Sequence, residues 1–187
     1  HASSSLPKDD GAGGSSELSC VPKDARFALV IGNQNYRQPE LCLSNPIADA
    51  RAMAERLQSL RFDTTSLEDA TRASIDDAFE ALHDKVVNAV EEEKKQTVVF
   101  LYFAGHGLNI DGKNYILAKE TDNYSLTNQR GVKACSIAPE ELLDNLQECL
   151  GKERGKNMCI CILDCCRNIP EWAPDRMRAI PSSGLIE

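Results

Sequence analysis

Apolar positions in this chain fall into two periods. Residues 27–32, FALVIG, form a short, nearly continuous apolar run that stops at Gly32-Asn33, which predicts a buried strand. After the polar stretch NQNYRQPELCLSN, Asn45-Pro46 supplies a helix start, with Asn45 as the cap. Ile47, Ala50, Met53, Ala54 and Leu57 then recur at helical spacing, predicting an amphipathic helix over 46–60. FDTTSL, residues 62–67, is a short β-prone segment. Ile75, Phe79, Leu82, Val86 and Val90 form one stripe of a second helix over 72–93. Residues 97–103 are again almost wholly apolar and predict a strand ending at Ala104-Gly105-His106-Gly107. Asp111-Gly112 between two β-like arms signals a hairpin. A third helix, about 139–150, turns Leu142, Leu143, Leu146 and Leu150 inward, and MCICIL, residues 158–163, forms a further strand ending at Asp164-Cys165-Cys166-Arg167.

Strands alternating with helices imply an α/β fold, a mostly parallel sheet with helices on both faces. Residues 1–22 are rich in Ser, Gly, Asp and Pro and carry too little apolar surface to offset ordering entropy, so they read as a disordered leader or linker. Residues 23–170 form the expected domain, and residues 171–187 a Pro-rich irregular linker.

Charge narrows the partners. The chain of 187 residues has 21 Lys and Arg against 29 Asp and Glu, a formal charge of −8, which repels phosphate backbones and disfavours nucleic acid. No apolar run reaches membrane-spanning length, so a membrane location is not expected. Four of the 8 Cys lie at 159, 161, 165 and 166, within or just beyond an apolar strand. They read as buried thiols in a reducing, cytoplasmic setting. Paired metal knuckles are missing, so no structural metal is expected. Asp111-Gly112 lacks the spaced acids of a calcium loop.

The chemistry concentrates at two strand ends. In parallel sheets ligands gather at the carboxyl edge of the strands, where His106 and Cys166 both fall. A thiol beside an imidazole becomes a strong nucleophile, because the ring takes its proton. Gly105 and Gly107 allow a sharp turn and leave room for a substrate chain. The N–H groups of Gly107 and Cys166 are candidates for an oxyanion hole. Of the three His, His1 lies in the leader and His83 on a helix, and His106 lies at a strand end, where it is the candidate base. Strand alternation allows only one of Cys165 and Cys166 to point at it.

LYFAGHG followed by CILDCCR resembles the His and Cys boxes of the caspase superfamily, and FALVIGNQNY resembles its first strand, over roughly residues 26–170. The resemblance implies a caspase–haemoglobinase-like three-layer sandwich, present here as its large-subunit part. It also implies peptide-bond hydrolysis with Cys166 as nucleophile. Within the superfamily, paracaspase-like and metacaspase-like members are the closest: Asp-x-Cys-Arg at 164–167 and Asn45-Pro46-Ile47-Ala48-Asp49 resemble the paracaspase pattern, in which that Asp lines the P1 pocket. Asp49 and Asp164 together form a site for a guanidinium or ammonium group. Leu43 occupies the place where aspartate-cutting caspases carry an Arg. The expectation is therefore cleavage after Arg or Lys. Some metacaspases depend on calcium, but Arg167-Asn168 departs from their motif, so no cofactor is assigned. Arg176 and Arg178 are candidate self-cleavage positions. The remaining groove is expected from a small-subunit portion or a second chain, with a dimer among the expected assemblies. The alternative class is a catalytically silent caspase-homology scaffold for protein association. Retention of both His106 and Cys166 favours the enzyme.

Overall fold

The structure, a computed structural model, describes residues 24–110, 112–122, 124–151 and 157–166, the last without its side chain. The leader 1–22, Asp111, the segment from Arg167 with Trp172, Arg176 and Arg178, and the linker 171–187 lie outside the described residues.

The apolar run at the start of the domain becomes β1 (Asp24–Gly32). Its even and odd positions pack against different layers, as strand alternation requires. Ala28 and Val30 meet the helix α1 (Pro46–Ser59) through Ala50, Ala54 and Leu57. Leu29 and Ile31 meet the opposite layer, formed by α2 (Arg72–Val87) and α4 (Pro139–Leu150), through Ile75, Phe79, Leu82, Val86, Leu146 and Leu150. Helices therefore cover both faces of the sheet, giving the three-layer sandwich that the alternating pattern implies. No helix among the described residues is long and apolar enough to cross a membrane.

The parallel sheet runs β2 (Asp63–Glu68), β1, β3 (Gln96–Ile110), β6 (Met158–Cys166). The chain passes from β1 outward to β2, then returns to the other side of β1 for β3. Strand order thus reverses between β1 and β3, and the crevice at such a reversal is where open α/β sheets place ligands. A short helix α3 (Gln129–Ala134) and the two-residue strand β5 (Ser136–Ile137) precede α4.

The structure departs from the pattern reading in three places. The strand expected to stop at residue 103 continues to Ile110. Its far end turns back as an antiparallel hairpin with β4 (Lys113–Leu117), Ile110 lying opposite Lys113 and Gly112 taking φ 81° in the turn. The hairpin supplies hydrogen-bond partners that a strand end would lack, so pairing carries the backbone through the Gly-rich segment. The helix over 72–93 ends at Val87, and Asn88–Glu92 form a π-helical turn closed by the Glu93 N–H on the Asn88 carbonyl at 3.1 Å. There the run of three glutamates lies in solvent. Asn45 precedes α1, but its side chain does not cap; its carbonyl accepts the Asp49 N–H at 3.0 Å, and Pro46, which has no N–H, fills the first turn.

Candidate active site

The loop between β1 and α1 forms one wall of the crevice, and buried polar groups hold it there. Asn33, 1% exposed, donates to the Ala70 and Leu117 carbonyls at 3.2 and 3.0 Å and accepts the Ala70 N–H at 2.7 Å. An unpaired buried amide would cost about 1–3 kcal/mol, so this triple bond set determines where the loop leaves the strand. Asp69, at φ 49°, accepts the N–H groups of Gln34 and Asn35 at 2.9 and 2.8 Å and the Asn35 side chain at 2.7 Å. Burial alone would raise its pKa; these bonds to Asn35 and Gln34, with the charge of Lys119, outweigh it and lower the pKa.

The braced loop delivers two groups to His106. The Tyr36 hydroxyl, on a ring only 4% exposed, accepts the His106 backbone N–H at 2.8 Å. The two rings lie 5.0 Å apart at 49°. Burial pushes the Tyr36 phenol well above its ordinary pKa, so it stays protonated. His106 Nε2 lies 2.9 Å from the Leu41 carbonyl. A carbonyl only accepts, so Nε2 carries the proton and Nδ1 keeps its lone pair. That is the tautomer a general base needs.

Burial lowers the His106 pKa, and the Leu41 bond offsets this in part. The folded state therefore resists a proton that the unfolded chain accepts near the ordinary imidazole value of about 6.5. Stability from neutral His106 is present above that value and is lost as the pH falls below it. In the Cys166→Ala variant, the His106 ring resonance is expected to titrate with a midpoint below about 6.5. A midpoint at or above it contradicts the buried, carbonyl-bound arrangement.

On the other side of the crevice, β3 and β6 run in parallel register, with Ala104 opposite Asp164, Gly105 opposite Cys165 and His106 opposite Cys166. Cys165 packs with Cys159, Cys161 and Leu163 against the α2/α4 core. The ladder thus puts the backbones of His106 and Cys166 side by side. Gly107 is buried and begins the antiparallel arm opposite Ile116. Gly105 has φ 156°, and a Cβ there would come within 2.7 Å of both the Tyr36 hydroxyl and the Phe103 ring. Gly32 plays a matching part at the end of β1, where a Cβ would lie 2.6 Å from the Pro46 carbonyl and hold off the start of α1.

Asp49, exposed in the first turn of α1, and Asp164, exposed near the end of β6, both act on Tyr102 of β3. The Tyr102 hydroxyl donates to Asp164 Oδ2 at 3.1 Å. Its pKa is pushed up to about 12, first by burial, then by that bond and the charges of Asp164 and Asp49. Leu43 packs, half-buried, against the cluster that contains Tyr36 and Leu41.

Sequence reasoning missed Tyr36, Leu41, Asn33, Asp69 and Tyr102 as parts of this site. The run Asn33-Gln34-Asn35-Tyr36 directly after a strand was the available signal. A carbonyl such as that of Leu41 leaves no signature in residue type.

A second thiol–imidazole contact lies elsewhere. Cys149 Sγ is 2.9 Å from His83 Nε2, between α4 and α2, in an open groove with Glu80, Glu91 and Glu148. Burial and the charges of Glu148 and Glu91 raise the Cys149 pKa. Cys42, Cys135, Cys149, Cys159 and Cys161 are free thiols. Among the described residues, no group of three or more His, Cys, Asp or Glu is placed to hold a metal ion.

A three-layer sandwich whose parallel sheet aligns a His and a Cys at its carboxyl edge is the architecture of the caspase-clan hydrolases. The model of the family described as Caspase domain matches residues 25–184, and the chain belongs to that family. Among solved structures, it is similar to protein GSU0716 from Geobacter sulfurreducens at 22% identity and a TM-score of 0.47, covering 76% of this chain and 50% of that one. The chain thus spans half the length of that protein. No curated protein matches it.

Proposed function

We propose that this chain is a cysteine endopeptidase of the paracaspase- and metacaspase-like branch, cutting after Arg or Lys. The parallel register of His106 against Cys166 carries the reading. His106 Nδ1 takes the thiol proton, and Cys166 attacks the scissile carbonyl to give a thioester acyl-enzyme. The Gly107 and Cys166 N–H groups stabilise the oxyanion, and the imidazolium returns its proton to the leaving amine. Water, deprotonated by His106, then hydrolyses the thioester. Asp49 and Asp164 hold the basic P1 side chain; their shared field at Tyr102 supports this pairing.

A panel of peptides varying only at P1 tests the substrate side. Arg is expected to exceed Asp by at least about a hundredfold in kcat/KM, since two carboxylates attract a guanidinium and repel a carboxylate. Preference for Asp sinks the assignment.

The 2.9 Å contact of Cys149 with His83 favours a second reading, in which that pair reacts. Its raised thiol pKa and acidic surroundings disfavour the thiolate. It also stands on the helical flank, away from the carboxyl edge of the sheet.

A further inference from the structure

Tyr102 sits at the meeting point of three elements. Its ring, 5% exposed, packs with Ala50, Ala54 and Leu57 of α1, and its hydroxyl reaches across to Asp164 on β6 at 3.1 Å. The phenol is a donor throughout the physiological range, since its pKa lies at about 12. Neither Asp49 nor Asp164 takes part in any ion pair found among the described residues. The basic side chain two residues beyond Asp49, Arg51, is committed to Glu68 by two bonds of 2.7 Å. Among the described residues, two carboxylates without a cation thus flank one buried hydroxyl, and the hydroxyl fixes one of them.

We propose that Tyr102 is a specificity-determining residue. By holding Asp164 Oδ2, it locks that carboxylate in one plane and makes the pocket prefer a guanidinium over an ammonium. The proposal rests on the peptidase reading above and deepens it. A guanidinium presents its N–H donors in a rigid planar fork, so its bonds are strong only where the acceptor plane is fixed. An ammonium is a compact point charge with rotatable donors and follows a carboxylate that turns. With Oδ2 bonded to the phenol, Asp164 cannot rotate freely about its Cβ–Cγ bond. Its remaining lone pairs keep one direction, and Asp49 offers a second acceptor from the α1 side. Tyr102 contributes through Asp164 and takes no part in bond cleavage.

Tyr102→Phe removes the hydroxyl and keeps the buried ring. The variant is expected to lower the Arg-to-Lys ratio of kcat/KM by about tenfold, with Lys peptides changing less than about threefold, as for loss of one bond to a charged group. The ratio is measured on one preparation with two substrates, so the fraction of folded enzyme cancels. Competition by arginine- and lysine-ended peptide aldehydes gives the same ratio from binding. A ratio within about twofold of wild type overturns the role of Tyr102 and leaves the peptidase reading intact. A parallel fall for both substrates marks a merely structural role and also overturns it. A wild-type chain that neither cleaves nor binds peptides with basic P1 overturns the underlying reading, and this proposal with it.

Discussion

Cys166→Ala is expected to lower kcat/KM for an Arg peptide by at least about a thousandfold, because removing the proposed nucleophile leaves only binding and oxyanion stabilisation. Any cleavage at Arg176 or Arg178 during purification should vanish in the same variant. Thermal unfolding should change little, because the replacement is small and sits at the end of a strand. His106→Ala should match it closely, since the two groups act as one unit and their losses do not add. Cys149→Ala is the decisive comparison. If it leaves turnover unchanged, the strand-end pair does the chemistry. If it abolishes turnover while Cys166→Ala does not, the reacting thiol is the one bonded to His83 at 2.9 Å.

Gly105→Ala is expected to damage both stability and rate. The new Cβ would lie 2.7 Å from the Tyr36 hydroxyl and from Phe103 Cζ, at a φ of 156° that residues with side chains rarely adopt. Overpacking of this kind costs about 1–3 kcal/mol, measurable as a lower urea midpoint. The rate effect has a separate cause. Tyr36 can yield only by releasing the His106 N–H, which loosens the ring that the Leu41 carbonyl orients. A misplacement of about 1 Å costs about a hundredfold in rate, so kcat should fall further than the folded fraction does. Gly112→Ala is the control. A Cβ there meets nothing within 4 Å, although φ is 81°, so backbone strain lowers stability without touching His106. Equal losses of rate in the two variants, at matched stability, would remove Gly105 from the site.

These two expectations differ in how far the sequence alone could have produced them. Cys166 and His106 stand out in the sequence because each terminates or interrupts an apolar run, and the residues around them carry a motif. The helix starts at Pro46, Arg72 and Pro139 and the apolar stripes behind them were legible for the same reason. Burial imposes a period on residue type, and the period survives in one dimension. The hairpin was legible from Asp111-Gly112, although the strand's passage through the glycines was not. Backbone pairing depends on what lies alongside, and no residue records that locally.

The role of Gly105 belongs to the second group. Its need for a missing Cβ comes from Tyr36, which is far away in sequence and is brought over by the loop that Asn33 and Asp69 hold. The tautomer of His106 is decided by the Leu41 carbonyl, a group every residue has, so side-chain identity says nothing of it. The choice between Cys165 and Cys166 was half legible. Alternation says that one of the two faces the site, and the register against β3 says which position lies beside His106. Tyr102 reads in sequence as one more apolar strand position; only the tertiary structure brings its hydroxyl to Asp164 Oδ2 and into the field of Asp49.

The sequence by itself determined the layers, the alternation of strand and helix, and the His and Cys boxes, because these follow from local period and residue type. The tertiary structure alone decided which buried hydroxyls, carbonyls and glycines surround them. Those contacts join residues distant along the chain, and their energies depend on distance and direction that residue order does not encode.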